Sequence, residues 1–207
     1  MGLFKRFLGQ TRKPEGFFGK LMLNAMNQGH AALSDWGLSH IEGLSPLVVA
    51  ELGCGGGRNV RELLRRYPQS KIYAVDYSAL AVCRTRAYNK PDIVKGRCRV
   101  LKASVQSLPL AASRFDLATA FETVYFWPDP AECFAEVYRI LKCGGSFLIC
   151  NESDGTDAEG LRYERIIDGM HCYTVEELET LLRTAGFSEV QLFRHETKPW
   201  LTVLAKK

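Results

Sequence analysis

The sequence predicts an α/β fold: a mostly parallel, seven-stranded sheet with helices on both faces and an antiparallel hairpin strand at the carboxyl end. Three observations predict it. After residue 45, short apolar runs alternate with stretches whose apolar residues recur every three or four positions, the pattern of strands joined by crossover helices. The first run leads into "ELGCGGGRN" (51–59), a glycine-rich turn of the kind that separates strand from helix where a nucleotide-like ligand approaches the backbone. The last two strand candidates are joined by "ETKP", which is too short for a crossover helix, so that pair is antiparallel.

Residues 1–45 precede the sheet and are expected to form an N-terminal helical cap or lid, leaving residues 46–207 as the main domain. The cap opens with "LFKRFLGQTRK", a basic amphipathic stretch whose Phe4, Phe7 and Leu8 offer at most a peripheral membrane contact. Residues 14–42 read as helices rich in aromatics and are expected to cover the ligand site. Strands follow at 47–52, 71–76, 98–103, 115–121 and 145–152, with helices at 59–67, 78–89 and 130–141 between them. The ending has its own signals. Thr174 is a helix N-cap with Glu177 as its capping-box partner, and Gly186 stops that helix. Strands at 188–195 and 200–206 complete the chain.

Composition bounds the function. A chain of 207 residues with 46% hydrophobic and 24% charged residues can bury a full core. A net charge of +4 is mild: it is compatible with an anionic substrate and does not require nucleic acid, for which a denser basic stripe is expected. Seven cysteines form no C-x-x-C pair, so they read as reduced thiols in a reducing compartment, and the cytoplasm is the default. No run reaches membrane-spanning length, and Gly2 is followed by Arg6 where a myristoylation signal needs Ser or Thr. Four scattered histidines and unpaired cysteines do not make a metal site, and none is expected.

The glycine turn departs from the dinucleotide fingerprint. Arg58 stands where G-x-G-x-x-G requires its third glycine, and Glu51 stands where dehydrogenases keep an apolar residue. Asp76 ends the second strand, where a carboxylate can accept both hydroxyls of a ribose; the plainer role is a turn or cap residue. Beyond the carboxyl ends of the strands, Glu51, the glycines and Asp76 gather on one side of the sheet.

At these residues the chain resembles the class I S-adenosylmethionine-dependent methyltransferases, in a form similar to the type 11 group with small-molecule acceptors. "VVAELGCGGGRN" resembles the family's E/D-x-G-x-G-x-G motif and "YAVDYS" its ribose-binding strand end. "KASVQSLPL", "RFDLATAFETVYFWPDP" and "EVYRILKCGGSFLIC" are similar to the third, fourth and fifth strand regions. The resemblance covers residues 46–205 and implies a Rossmann-like fold with S-adenosylmethionine as cofactor. It implies that Gly53, Cys54, Gly55 and Gly57 wrap the methionine part, that Glu51 supports the amino group and that Asp76 holds the ribose. Tyr77 would lie along the adenine, with Ser104, Val105 and Phe121 completing the cofactor site. Ser104 replaces the family's frequent Asp, and Cys143 replaces a common proline.

For the acceptor, the residues after the fourth strand matter most. Glu122 is either a proton acceptor or a ligand for the cofactor amino group, while Tyr125 and Trp127 can hold an aromatic or cationic acceptor. His30, Trp36 and His40 from the cap, and His171 and Tyr173 in the loop before the last helix, are further candidates for the pocket and for catalysis, each histidine having a structural role as its plainer reading. No Asp/Asn-Pro-Pro-Tyr/Phe motif and no Pro-Cys nucleophile follow the fourth strand. The expected activity is methyl transfer to a small molecule by a monomer or homodimer. The alternatives are an RNA or protein methyltransferase and a non-catalytic cofactor-binding protein.

Overall fold

A computed structural model describes residues 29–207 together with Gly16, Gly19 and Leu23. The basic stretch with Phe4, Phe7 and Leu8, and most of the cap expected over residues 14–28, lie outside the described residues.

The described chain runs α1 (Ala31–Ser39), β1 (Val48–Leu52), α2 (Arg58–Arg66), β2 (Lys71–Asp76), α3 (Ala79–Tyr88), α4 (Lys90–Val94) and β3 (Cys98–Lys102). It continues with β4 (Phe115–Phe121), a 3-10 turn (Val124–Phe126), α5 (Pro130–Ile140), β5 (Leu141–Asn151), α6 (Ala158–Ile166), α7 (Val175–Ala185), β6 (Glu189–Arg194) and β7 (Leu201–Lys206). One sheet holds all seven strands in the order β3-β2-β1-β4-β5-β7-β6. The first five are parallel, and β7 pairs antiparallel with both β5 and β6.

The alternation of side chains along each strand divides the core in two. Ala50, Leu52, Phe147 and Ile149 face α5 and α7, whose Phe134, Val137, Leu178 and Leu182 are fully buried. Val49, Ile72, Leu117 and Leu148 face the other side, where α1, α2 and α3 contribute Leu38, Val60, Leu63 and Val82. A long apolar strand buried on both sides is what the continuous hydrophobic runs in the sequence require.

Helix α1 lies on β5 at Gly37, where a Cβ would come within 2.6 Å of Cys150 Sγ. It is tied to α2 by Arg58, whose Nη2 sits 2.8 and 2.9 Å from the two carboxylate oxygens of Asp35. This placement brings the N-terminal end of α1 over the carboxyl end of the sheet. The capping box of α7 forms as the sequence requires, with Thr174 accepting from Glu177 N, Glu177 accepting from Thr174 N, and Gly186 in the left-handed region at φ 108°.

Three local features differ from the sequence expectations. Strand β5 begins at Leu141, because a register shift between Phe115 and Leu117 absorbs the exposed, glycine-containing stretch that interrupts its apolar pattern. Helix α6 is capped by Asp157, which accepts from Gly160 N at 2.7 Å, but it buries only Gly160 and so has no apolar period to read. Helix α4 is a single short turn with Pro91 at its start, also with no buried residue.

Candidate active site

The strand order reverses between β1 and β4, so the connections after these two strands diverge and open a crevice beyond their carboxyl ends. Two adjoining cavities lie there, of about 60 and about 190 Å³. Gly53, Gly55, Phe121, Glu122 and Leu23 line both.

The three alternate glycines serve different neighbours. A Cβ on Gly53 (φ 80°) would fall on the Thr123 side chain, and one on Gly57 (φ 86°) would meet Thr85 Cα at 2.9 Å and Asn89 Nδ2 at 2.8 Å. Both are demanded by packing. At Gly55 (φ 49°) the nearest atoms to a Cβ are Leu23 Cδ2 at 3.9 Å and Gly53 O at 4.0 Å, so this position is bare toward the cavity. Helix α3 braces the turn: Thr85 Oγ1 donates to Gly55 O at 2.9 Å and Asn89 Nδ2 to Gly57 O at 3.0 Å.

Asp76 ends β2 beside this turn. Its Oδ2 accepts from Gly55 N at 2.9 Å and its Oδ1 from Ser78 N at 2.8 Å. Burial raises its pKa, opposed by those two backbone donors. Asp76 lines the larger cavity with Tyr77, Ser104 and Val105; Val105 is buried and the Tyr77 side chain is exposed. Cys54 lines the smaller cavity with Arg58 and Asn59, its thiol pushed well above the usual range by burial and the nearby Asp76 charge.

Glu51 lies beneath the turn and lines neither cavity. It is fully buried, hydrogen-bonded by Thr119 and Asn59, and burial pushes its pKa up to about 8 despite those donors.

Glu122 follows β4 with φ 56°, a left-handed conformation that costs a non-glycine residue on the order of 1 kcal/mol or more. Its own N–H donates to Cys150 O at 3.0 Å. Both donors to its carboxylate fall on Oε1: the Glu152 backbone N–H, and Tyr125 Oη at 3.2 Å. Burial, followed by the neighbouring Glu152 charge, pushes its pKa up to about 8 against these two donors. Tyr125 lines neither cavity. It stands behind Glu122, donating to it while accepting from Ser153 N at 2.9 Å. Trp127 lines the larger cavity and donates from Nε1 to Thr123 Oγ1 at 3.3 Å.

The remaining candidates lie elsewhere. Trp36 and His40 line neither cavity: Trp36 packs against His40, His195 and Trp200, and His40 stacks on Phe193 at 4.0 Å. The placement follows from Gly37 seating α1 on β5, which turns this pair of side chains toward the C-terminal hairpin. His171 also lines neither cavity; its ring lies between Glu164 at 3.4 Å and Glu177 at 3.2 Å, and its backbone N–H donates to the Tyr125 backbone O at 2.9 Å. His30, a candidate from the sequence, lines the smaller cavity, whereas Leu23, Ser34, Phe126 and Glu152 join the site without having been candidates. Glu152 carried a signal, since it follows β5 as Glu122 follows the adjacent β4; the others depend on tertiary packing.

The arrangement fits S-adenosylmethionine. A bare glycine with positive φ, a carboxylate at the end of the second strand and a mostly apolar cavity beside them accommodate a nucleoside joined to a short amino-acid chain. Residues 50–149 match the methyltransferase domain family. The chain is 28% identical over 171 residues to cycloartenol-C-24-methyltransferase of Arabidopsis thaliana, covering 76% of this chain and 50% of that protein. It is 29% identical over 162 residues to malonyl-[acyl-carrier protein] O-methyltransferase of Geobacter sulfurreducens, covering 73% of this chain and 60% of that protein. The chain thus spans little more than half the length of these curated relatives. A SAM-dependent methyltransferase from Aquifex aeolicus superposes with a TM-score of 0.74 at 18% identity, covering 89% of this chain and 96% of that one.

Proposed function

Since the chain belongs to the class I S-adenosylmethionine-dependent methyltransferases, we propose that it methylates a small-molecule acceptor held in the larger cavity. The observation that carries this reading is Glu122, a carboxylate turned into the crevice by a left-handed backbone and facing both cavities.

Bound S-adenosylmethionine supplies an activated methyl on its sulfonium. The chain's residues bind and orient. Asp76 accepts the ribose hydroxyls on lone pairs left after its two backbone bonds. Gly55 leaves room for the amino-acid chain, with Cys54 and Gly53 beside it. Tyr77, Ser104, Val105 and Phe121 enclose the adenine end. Glu51, beneath the turn and held protonated by burial, braces the backbone under the cofactor's amino group through its bonds to Thr119 and Asn59. Phe126 and Trp127 exclude water from the acceptor side and offer aromatic faces to it. Glu122 Oε2 takes a proton from the acceptor, while Tyr125 and the Glu152 N–H hold Oε1 in place.

Residues 1–45 then act as a lid, a reading supported by Leu23, His30 and Ser34 at the cavity walls. A reducing, cytoplasmic setting is supported by seven free cysteines, and no helix among the described residues is long and apolar enough to cross a membrane. A monomer or homodimer acting on a small molecule rather than nucleic acid fits the mild net charge of +4. The two relatives are named for different acceptors, a sterol carbon and an oxygen on an acyl carrier conjugate, and both fit the small-molecule class.

The test is release of S-adenosylhomocysteine from S-adenosylmethionine across a panel of hydroxyl, amine, thiol and acidic-carbon acceptors. With an active acceptor found, Glu122→Gln should lower turnover by about a hundred- to ten-thousand-fold at nearly unchanged cofactor affinity. Loss of affinity with recovery of rate at saturating cofactor would assign Glu122 to the cofactor amino group instead.

A further inference from the structure

Three chain segments distant in sequence place ligating groups at the mouth of the smaller cavity. His30 comes from the N-cap of α1, Glu122 from the end of β4 and Glu152 from the end of β5. One nitrogen or oxygen from each lies within 4.8 Å of the others. We propose that these three residues form a binding site for a divalent first-row cation such as Mn²⁺.

The fold explains the convergence. β4 and β5 are adjacent and parallel, with Phe121 opposite Cys150, so the residues that follow them emerge side by side. Gly37 on Cys150 and the Arg58–Asp35 pair fix α1 above those strand ends, which delivers His30. The His30 Nε2 is 3.7 Å from Glu152 Oε2.

The donor set is right for a cation of intermediate hardness: one imidazole with two carboxylates suits Mn²⁺, Fe²⁺ or Zn²⁺ better than Ca²⁺ or Cu⁺. Ligands about 2.1 Å from an ion stand roughly 3–4 Å from one another, so closure from 4.8 Å requires only a small turn of one side chain. Glu152, the most exposed of the three, is free to make it. Glu122 is already oriented. Its two hydrogen bonds both hold Oε1, as the outer partners of a metal carboxylate do, and its carboxylate faces the cavity. Two carboxylates that repel each other, one of them half-buried, gain from a cation between them. His171 shows what a non-site looks like. It also lies between two carboxylates, but Glu164 faces Nδ1 and Glu177 faces Nε2, on opposite sides of the ring.

Three protein ligands leave open positions facing the crevice, so the cation would favour an acceptor with an oxygen donor, and in the metal-bound form Glu122 serves as a ligand instead of as the proton acceptor. In this respect the inference rests on the methyltransferase reading, although cation binding itself does not. The experiment titrates the full chain with Mn²⁺ alone, following free Mn²⁺ by electron paramagnetic resonance. Wild type should bind one Mn²⁺ per chain, and His30→Ala and Glu152→Gln should each weaken binding at least tenfold while melting normally. No binding, or binding equal in both variants, would overturn the site. Calorimetry with S-adenosylhomocysteine on the same preparation separates the two readings. Cofactor binding without Mn²⁺ binding removes the cation site alone, and Mn²⁺ binding without cofactor binding removes the methyltransferase reading alone.

Discussion

Gly53 and Gly55 stand two residues apart, and exchanging each for alanine should produce different failures. Both have positive φ, so each alanine carries about 1–2 kcal/mol of backbone strain. Only at Gly53 does the new methyl also strike Thr123, whereas at Gly55 it enters the cavity. Gly53→Ala should therefore melt at a clearly lower temperature than Gly55→Ala, and Gly55→Ala should lose at least tenfold in S-adenosylhomocysteine affinity. Thermal melts and calorimetry on the pair check this; equal melting temperatures would contradict the packing role of Gly53. Glu51 gives a second residue-scale test. Its pKa rises from 4.5 to about 8 on folding. Below pH 4.5 both states hold the proton and nothing is lost; as pH rises toward 8 the unfolded chain ionises first, and stability falls by a few kcal/mol at most. Glu51→Gln removes that loss, so the stability difference between variant and wild type should grow between pH 5 and 8 in urea unfolding. A difference independent of pH would show that Glu51 is ionised in the folded protein. At this scale the sequence was legible where a motif constrains the backbone, as at Gly53, Gly55 and Asp76. It was silent on Glu51's depth, because burial depends on what α2 and β4 place around it.

Helix α1 is the element whose position most affects the site, and it was the least legible. The pattern in residues 31–39 is apolar enough to predict a helix, but nothing local says which way it faces. Gly37 decides that by letting the helix settle on Cys150, with the result that Trp36 and His40 pack against Phe193, His195 and Trp200 while His30 and Ser34 reach the cavity. The Arg58–Asp35 pair adds a half-exposed tether, worth about 0–1 kcal/mol. Asp35→Ala should therefore leave the global melting temperature nearly unchanged while speeding hydrogen exchange in residues 31–39. Unchanged exchange there would mean that packing on β5 alone holds the helix. By contrast, β1, β2, β4 and α7 were legible to within a residue or two. Buried strands are continuously apolar, and α7 carries its own start and stop in Thr174, Glu177 and Gly186.

For the whole molecule, the order of five parallel strands followed by a helix and a hairpin was legible because each link is local: a crossover helix where the spacing allows one, and a four-residue connection where it does not. The strand order β3-β2-β1-β4-β5-β7-β6 then fixes the crevice at the β1–β4 reversal. What sequence spacing does not reveal is convergence across the sheet, and so His30, Glu122 and Glu152 were not grouped until the fold joined them. The account's central claim is that this crevice is built for S-adenosylmethionine, with Asp76 holding the ribose. Calorimetric titration of wild type and Asp76→Ala with S-adenosylhomocysteine, with NAD as control, tests it most directly. The account predicts saturable one-to-one binding by wild type, no heat with NAD, and a loss of about ten- to a hundred-fold in the variant, the value of charge-assisted hydrogen bonds worth about 1.5–3 kcal/mol. Binding of NAD in place of S-adenosylhomocysteine, or equal affinity in a folded Asp76→Ala variant, would contradict it.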